Sequence, residues 1–335
     1  MVIDDNFYMS LAINEAWGNQ LLTFPNPAVG SVVVKSGEIL SIEAHKKAGL
    51  PHAEVLALKY AYLKQNPQSL LAQITDSKEI HRFLIENHNG FFNDCEIYIT
   101  LEPCNHIGKT PACSDLLSTI KPKRVIFSVF DPNNDASGGY EKLINANIEV
   151  TTGVLEDKGM DLLFPFLSFT QKKSFVFFKL ASRVNGSIDG GYITSKESLE
   201  YVHKIRTVID LLVIGGNTVR IDRPTLDCRF IDTEKSPNIL IYSQSKNFDT
   251  TIPLFNVKNR KVSINDKIDF NNKFAMIEGG YNLLNNLINQ VDMLVLFVSP
   301  NFKNSNDILL KDIKFRILYS KQIGDDQLMF LKKKI

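Results

Sequence analysis

The sequence predicts an α/β protein of two domains, and three observations lead to that expectation. The chain has 335 residues, 44% of them apolar, which is long enough for two domains that each bury a core. Segments of strand type alternate with segments of helical spacing in both halves. A helical segment that ends in basic, polar residues separates the two alternating regions. We therefore expect domains at residues 1–155 and 173–335, joined by a connecting segment at 156–172.

In the first half, a helix is expected over residues 4–20, ended by the two prolines of FPNPAVG. Strands are expected at SVVVK, EILSIEA, CEIYITL, KRVIFSVF and ANIEVTTG, and helices at HAEVLALKYAYL, ACSDLLSTI and GGYEKLINAN. Residues 61–93 interrupt this order with polar helical sequence. We expect them to form an insertion on the surface.

In the second half, strands are expected at SFVFFKLA, DLLVIGG, NILIYS, RKVSI, KFAMIEGG, VDMLVLFVSP and FRILYS. Helices are expected around residues 196–206 and 281–290. The segment LLVIGGNTVRIDRPTLDCR should run from a strand through a Gly-Gly turn into a loop. No repeat of 20 to 50 residues occurs, which excludes a solenoid or a propeller.

The charge balance excludes several classes of partner. Lys and Arg total 38 against 37 for Asp and Glu, so we expect no nucleic-acid partner. The absence of an 18-residue apolar run and of a basic signal sequence predicts a cytoplasmic protein with no membrane partner. Four cysteines are too few for a disulfide scaffold, so reduced or metal-bound thiols are expected. A small-molecule substrate fits this composition, and the oligomeric state, a homo-oligomer included, stays open.

A metal site is predicted from two separated motifs. His52 and Glu54 stand two residues apart where an apolar helix begins, and Cys104 follows Pro103, with Cys113 after an eight-residue spacer. One imidazole and two thiolates make a three-ligand zinc set that leaves a fourth position for water, and zinc lowers the pKa of such a water to about 7. A glutamate that is not a ligand can then move the protons. His-x-Glu followed by Pro-Cys and a second Cys is the signature of zinc-dependent nucleobase deaminases.

Two alternatives remain at this point. Cys95, placed ahead of the strand, or His106, inside the spacer, could fill the fourth position and make a zinc-stabilised scaffold without catalysis. The chain could also be a deaminase for cytosine or for adenosine in tRNA, with an unrelated second domain. The near-neutral charge argues against a polynucleotide substrate. Cys228 is expected to be an ordinary thiol.

The cysteine spacing points to one family. Nucleobase deaminases usually separate the two cysteines by two residues, whereas here the spacer has eight. PNPAVG, HAE, TLEPCNHIGKTPAC and DPN occur in that order and resemble the deaminase half of the bifunctional riboflavin-biosynthesis deaminase/reductase. The resemblance implies a cytidine-deaminase-like three-layer α/β/α domain with Asn26 and His45 beside the bound pyrimidine. From the residues alone, Asn26 is a turn residue and His45 ends a strand.

The second half resembles the reductase half of the same family through KLASRVNG, KIR, TVRIDRPTLDCR and EGG. The resemblance implies a dihydrofolate-reductase-like α/β domain. It implies NADPH contacts from Ala181, Thr218, Asp222, Gly279 and Gly280. It implies contacts with the ribose phosphate substrate from Arg206, Leu226, Arg229 and Glu278, and Lys179 is a further candidate for substrate binding.

Two features of the second half qualify this resemblance. The family's SLDG is replaced by residues 183–186, RVNG, which leaves open a deaminase with an inactive reductase domain. Tyr192 would stand for an aromatic residue of the family near the nicotinamide. Lys179, expected at a strand end, and Glu278 are the candidates for the acid of the reduction.

The resemblance also implies the reactions. The first domain, with Zn²⁺, would hydrolytically deaminate a pyrimidine ribotide, 2,5-diamino-6-ribosylamino-4(3H)-pyrimidinone 5′-phosphate. The second, with NADPH, would reduce its ribosyl group to ribityl.

Overall fold

The computed structural model describes residues 3–106, 108, 110–133, 137–304 and 312–334. Ile107 and Lys109 of the cysteine motif lie outside the described residues. The chain divides into two compact units, Met1–Leu167 and Ser168–Ile335. The segment predicted as the connection is one helix, Glu156–Lys172, and the division falls inside it. None of the helices in the described part of the chain has the length and hydropathy that a membrane span requires.

The first unit is built on a five-stranded sheet with the order β2-β1-β3-β4-β5. In chain order its elements are α1 Asp5–Gly18, β1 Gly30–Lys35, β2 Glu38–Ala44, α2 Ala53–Gln65, α3 Ser77–Asn87, β3 Cys95–Leu101, α4 Cys113–Ile120, β4 Arg124–Val129, α5 Gly139–Asn145, β5 Glu149–Thr152 and the beginning of α6 Glu156–Lys172. Strand β1 pairs antiparallel with β2 and β3, and β3, β4 and β5 are parallel.

Helices cover both faces of this sheet. Apolar side chains of α2, α3, α4 and α5 join those of β1, β3 and β4 in one core cluster. On the other face, α1 lies so close to β1 that a Cβ on Gly30 would overlap the carbonyl oxygen of Ala12, and Leu163 of α6 packs on Leu101 and Val129. This is the predicted three-layer α/β/α arrangement.

The prediction that residues 61–93 lie only on the surface is wrong. The segment contains the end of α2, a short 3₁₀ turn and α3, and it contributes Leu71, Ile80, Leu84 and Phe92 to the main core cluster with at most 1% exposure. The buried Lys59 of α2 also donates to the carbonyl of Ile74 at 2.5 Å. Many charged and amide side chains of the segment face solvent. Because they dominate its sequence, the apolar face of the segment was not recognised.

The second unit is built on an eight-stranded sheet with the order β12-β13-β11-β6-β10-β7-β8-β9. Its elements are β6 Phe175–Arg183, α7 Lys196–Arg206, β7 Leu211–Gly215, α8 Gly216–Asp222, β8 Asn238–Tyr242, α9 Pro253–Asn256, β9 Val262–Asn265, β10 Phe274–Glu278, α10 Tyr281–Leu287, β11 Met293–Ser299, β12 Phe315–Ile323 and β13 Asp326–Lys333. Strands β6 to β11 pair in parallel, and β13 runs antiparallel to β11 and β12.

Three expectations for the second unit need correction. The segment after the Gly-Gly pair is helix α8 rather than a loop, because Gly216 opens a helix that continues to Asp222. Lys179 lies in the middle of β6 rather than at its end, since the strand continues to Arg183. Strand β13 was not expected, and it completes the sheet between β11 and β12.

Candidate active sites

The three expected metal ligands converge in the first unit. His52 immediately precedes α2, Cys104 follows β3, and Cys113 is the first residue of α4. His52 Nδ1 lies 3.6 Å from Cys104 Sγ and 3.4 Å from Cys113 Sγ. In a tetrahedral zinc site, bonds of about 2.0 to 2.3 Å place neighbouring ligand atoms roughly 3.5 to 3.8 Å apart. The three side chains therefore fit a zinc ion.

The two thiols differ in acidity. The pKa of Cys104 is lowered to about 4, first by a hydrogen bond from the Cys113 thiol and also by His52. The pKa of Cys113 is raised, because its thiol donates to Cys104 and is buried. A metal ion competes with the proton for a thiol sulfur, so we expect metal binding here to release a proton.

Thr110 is a residue of this site that the sequence interpretation missed. Its Oγ1 lies 3.2 Å from His52 Nε2 and its side chain is buried. Because Nδ1 of His52 faces the two sulfurs, Nε2–H donates to Thr110, which fixes the tautomer and the ring orientation. In the sequence, only its position three residues before the second cysteine could have indicated that Thr110 belongs to the site.

Glu54 lies in the first turn of α2 and is 4% exposed. Burial raises the pKa of its carboxyl group, and the charge of His52 opposes this rise. The residue lines a cavity of about 380 Å³ together with His52 and Cys104. A carboxyl group at this position can exchange protons with a molecule that occupies the cavity beside the metal ligands.

Asn26 and His45 line the same cavity and contact each other. His45 Nδ1 donates to the carbonyl of Pro51 at 3.1 Å, so its Nε2 accepts from Asn26 Nδ2, also at 3.1 Å. The pKa of His45 is lowered to about 4, mainly by burial. The imidazole is therefore neutral near pH 7, and the pair presents an uncharged polar edge to the cavity.

Glu102 is a second residue that the sequence interpretation missed. It is buried at the end of the TLE motif and accepts from the backbone N–H groups of Asp131 at 3.1 Å, Gly138 at 3.1 Å and Tyr140 at 2.9 Å. Asp131 and Asn133 line the cavity. One carboxylate thus holds Asp131 of the cavity wall together with the beginning of α5.

Neither alternative ligand joins the metal cluster. Cys95 is the first residue of β3, not ahead of it. Its buried thiol donates to the carbonyl of Phe91 at 3.8 Å, and burial raises its pKa to about 11. His106 lines the cavity but does not belong to the cluster. In the described parts of the chain, His52, Cys104 and Cys113 are the whole metal-binding group of His, Cys, Asp or Glu side chains.

In the second unit, three charged side chains form a buried cluster. Lys179 and Glu278 are neighbours on the paired strands β6 and β10, and their side chains are 3.1 Å apart. Arg206, the last residue of α7, lies 2.9 Å from the other oxygen of Glu278. Burial alone would raise the pKa of Glu278, but the charges of Lys179 and Arg206 outweigh it and lower the pKa to about 2.

The predicted substrate residues continue from this cluster to the segment after α8. Arg206 donates to the carbonyl of Asp227 at 3.0 Å, and Arg229 pairs with the Asp227 carboxylate at 2.8 Å. Leu226 is buried in the left-handed region, with φ of 57°. Arg206 is 8% exposed, whereas the Arg229 side chain is 46% exposed, so Arg229 is the arginine more open to a phosphate.

The expected NADPH residues lie at one edge of the sheet. Ala181 is near the carboxyl end of β6, Gly279 and Gly280 follow β10, and Thr218 and Asp222 lie on α8 after β7. These strands are adjacent and parallel, and α/β sheets bind nucleotides outside the carboxyl ends of such strands. A Cβ on Gly279 would come within 2.7 Å of Leu283, and one on Gly280 equally near Ile188. A larger residue at either position would require the Leu283 or Ile188 side chain to move, and the two glycines fit the close approach of a nucleotide cofactor to the backbone.

The segment that replaces the family's SLDG forms a turn beside α10. Arg183 donates to the carbonyl of Asp189 at 2.8 Å, and Tyr281 Oη donates to the carbonyl of Gly186 at 2.6 Å. Tyr192, the proposed substitute for an aromatic contact, is 76% exposed. Of the changed residues, Arg183 thus bonds within its own segment, whereas Val184 and Asn185 bond to carbonyl groups at the end of β11 and just after it.

Two family models match this chain. The cytidine and deoxycytidylate deaminase zinc-binding region matches residues 2–129, and the RibD C-terminal domain matches residues 181–273. The riboflavin biosynthesis protein RibD of Aquifex aeolicus is 31% identical over 379 residues, covering 99% of each chain. The Escherichia coli protein of that name is 30% identical over 253 residues, or 72% of this chain and 61% of that protein.

The similarity extends to solved structures. A crystal structure of a diaminohydroxyphosphoribosylaminopyrimidine deaminase/5-amino-6-(5-phosphoribosylamino)uracil reductase from Thermotoga maritima is 26% identical, with a TM-score of 0.66. The match covers 98% of this chain and 99% of that one. Acinetobacter baumannii RibD, 23% identical with a TM-score of 0.65 over 99% of each chain, has the same fold. The resemblance predicted from the motifs is confirmed, and the chain belongs to the RibD family of riboflavin biosynthesis proteins.

Proposed function

We propose that this chain is a bifunctional enzyme of riboflavin biosynthesis. It deaminates 2,5-diamino-6-ribosylamino-4(3H)-pyrimidinone 5′-phosphate and then reduces the ribosyl group of the product to ribityl with NADPH. The observation that carries this proposal is the cluster of His52, Cys104 and Cys113, of which His52 and Cys104 line one cavity together with Glu54. The full-length match to a RibD protein extends it to the second unit.

The deamination exchanges an amino group for oxygen. Zinc held by His52, Cys104 and Cys113 would supply a Lewis acid that makes water nucleophilic at neutral pH. Glu54 takes a proton as the water oxygen bonds to the ring carbon, and it returns a proton to the amine, which leaves as ammonia. The burial of Glu54 in the cavity wall keeps bulk water from competing for these protons.

Asn26 and His45 orient the pyrimidine. The neutral imidazole and the amide lie on the cavity, where they can exchange hydrogen bonds with the ring nitrogens and exocyclic groups. Their mutual hydrogen bond and the contact of His45 with Pro51 hold both side chains in place before a ligand arrives. We propose that they recognise the pyrimidine by hydrogen bonds to the edge of its ring and take no part in proton transfer.

The reduction opens the sugar ring. NADPH would supply a hydride to C1′, the bond from C1′ to the ring oxygen breaks, and that oxygen needs a proton. Lys179 is the proposed donor, since its ammonium group is held by Glu278 and is largely buried. Arg229 would bind the 5′-phosphate, and Arg206 would keep Glu278 charged and in place.

We further propose that the activities divide between residues 1–155 and 173–335, with α6 as the connection, which the two compact units support. The net charge of +1 supports a small-molecule substrate over a polynucleotide. Reduced metal-binding thiols support the cytoplasmic location predicted from the sequence. The proposal leaves the oligomeric state open, a homo-oligomer included.

Two separate assays test the proposal. Purified protein with zinc should release ammonia from the diaminopyrimidine ribotide without NADPH, and it should oxidise NADPH when given the deaminated ribotide directly. Ammonia release without NADPH oxidation on the deaminated ribotide would reduce the proposal to a deaminase with an inactive second unit. If the zinc-loaded protein released no ammonia, the chain would not be the proposed deaminase.

A further inference from the structure

Arg260 is a charged residue of the second unit that has no part in the two reactions as described above. It lies just before β9, and its guanidinium group donates to the backbone carbonyl groups of Thr225 and Leu226, each at 2.6 Å. Both carbonyls belong to residues 225–229, which we call the Arg229 segment. The segment ends at Arg229, the residue proposed to bind the 5′-phosphate. The structure therefore connects Arg260 to the phosphate site through the backbone.

Two arginines hold three consecutive carbonyl groups of the Arg229 segment. Arg260 donates to the first two, those of Thr225 and Leu226. Arg206 donates to the third, that of Asp227, at 3.0 Å. Leu226 has a φ of 57°, in the left-handed region that a leucine adopts only when its surroundings hold it there. Hydrogen bonds from a charged, planar guanidinium are strong and directional, so they can hold this backbone conformation.

The orientation of Arg229 depends on this backbone. Its Nε donates to Asp227 Oδ1 at 2.8 Å, and the same aspartate is held through its carbonyl group by Arg206. The side chain of Arg229 is 46% exposed, so packing alone does not hold it. A displacement of the segment by about 1 Å would misplace the guanidinium relative to a bound phosphate.

Arg260 is itself fixed to the sheet. The N–H group of Lys261 donates to Asn238 Oδ1 at 2.9 Å, and the carbonyl group of Lys261 accepts from the N–H group of Ile239 at 2.8 Å. These bonds hold the backbone next to Arg260 against the beginning of β8. The guanidinium also donates to the carbonyl group of Leu254 in α9 at 2.5 Å. The side chain thus links the edge of the sheet and α9 to the Arg229 segment.

The charges around the segment favour an anionic ligand. In the described parts of the chain, no carboxylate lies at salt-bridge distance from the Arg260 guanidinium. Burial lowers the pKa of Arg260 to about 10, so it is charged at pH 7. The charged residues of this region are four cations and two carboxylates: Lys179, Arg206, Arg229, Arg260, Asp227 and Glu278. A phosphate monoester carries a charge of about −1.5 to −2 at pH 7, which the excess of cations suits.

We propose that Arg260 is a positioning residue for the reduction, which holds the Arg229 segment in the conformation in which Arg229 binds the 5′-phosphate of the ribotide. This inference rests on the proposed reductase function. Arg260 acts through the segment and not on the phosphate, because its terminal nitrogens donate to carbonyl oxygens.

The test is steady-state reduction of the deaminated ribotide by full-length Arg260→Met with NADPH. KM for the ribotide should rise about tenfold or more, whereas kcat should change less than about twofold. The inhibition constant of ribose 5-phosphate should rise by the same factor. The dephosphorylated riboside should be reduced with the same kcat/KM by both proteins, since it lacks the group that Arg229 binds. A merely structural role would affect both substrates alike.

Two further variants separate position from charge. Lys261→Met removes a positive charge at the next, exposed position and should keep the wild-type KM. Arg260→Lys keeps the charge but cannot reach both carbonyl groups of the segment, so its KM should lie between those of wild type and Arg260→Met. If Arg260→Met does not fold, as loss of NADPH binding would show, the raised KM of Arg260→Lys is the test.

A double-mutant cycle shows whether Arg260 acts through Arg229. Arg229→Met alone should raise KM, and the addition of Arg260→Met should raise it less than about twofold further. Independent effects that multiply, a fall in kcat with unchanged KM, or an equal loss with the riboside would overturn the inference and leave the reductase function standing. Failure of wild-type protein to oxidise NADPH with the deaminated ribotide would overturn the reductase function itself.

Discussion

The two candidate sites differ in how their residues are distributed along the chain. The metal site comes from two short motifs, and its three ligands lie within 4.8 Å of one another. The charged cluster of the second unit joins Lys179, Arg206 and Glu278, which stand on β6, α7 and β10. In the first site, His52 and Cys104 line a cavity with Glu54. In the second, one carboxylate is shared by two cations, so one positive charge remains in the cluster.

This difference follows from the chemistry that each site supports. Ligands of one small ion must reach the same point within a few tenths of an ångström, so their residue types and positions are tightly constrained. A dinucleotide and a phosphorylated sugar spread over more than 10 Å, and many arrangements of glycines and arginines accommodate them. The sequence motifs of the first unit are therefore specific, whereas those of the second unit are short and separated along the chain.

The largest predicted effect belongs to Glu54→Gln. Loss of the proton carrier should lower the deamination rate about a thousandfold. Zinc content, measured by mass spectrometry of the metal, should stay at the wild-type level because Glu54 is not a ligand. The same variant should reduce the deaminated ribotide normally. Retained deamination would remove Glu54 from the proposed mechanism.

Glu278→Gln tests whether the second site depends on its internal charge balance. The change leaves Lys179 and Arg206 without their shared carboxylate, and it should cost about 3 kcal/mol of stability at pH 7 besides impairing the reduction. Urea unfolding of both proteins gives this difference.

The pH dependence follows from the low pKa of Glu278. Because its folded pKa of about 2 lies below the ordinary value of 4.5, the stabilisation is fully present above pH 4.5 and is lost as the pH falls towards 2. The stability gap between wild type and Glu278→Gln should shrink over that interval. A gap that stays constant down to pH 2 would contradict the charge assignment.

Leu84→Ala tests whether the inserted segment belongs to the core of the first unit. Leu84 is fully buried on α3, so its truncation should cost about 2 to 3 kcal/mol. Its neighbour Ile85 is 38% exposed, and Ile85→Ala should cost less than about 0.5 kcal/mol. Urea unfolding measures the loss in free energy of unfolding. Equal, small losses for the two variants would mean that the inserted segment lies on the surface.

Asn26→Ala should have the smallest effect of this series. Removal of one neutral hydrogen-bonding side chain from the cavity should lower kcat/KM for deamination about tenfold, through KM more than kcat. Zinc content and reduction of the deaminated ribotide should not change. Wild-type kinetics in this variant would mean that the pair with His45 does not contact the pyrimidine.

The sequence predicted most strands and the metal ligands because both follow from strict local patterns. It missed Thr110 and Glu102, since one threonine and one glutamate carry no periodic signal and act through tertiary hydrogen bonds. It missed helix α8 because glycine and asparagine favour turns, and only packing on β7 and β8 shows that the helix forms there. Lys179 was placed at a strand end because the length of β6 is set by its partner β11.

The most direct test of the account is mass spectrometry of the diaminopyrimidine ribotide after incubation with the zinc-loaded protein. Without NADPH, the product should have exchanged one amino group for oxygen and nothing else. With NADPH, it should in addition have gained two hydrogens. Addition of hydrogens without the amine exchange, or no change at all with zinc bound, would contradict the division of the two reactions between the two units.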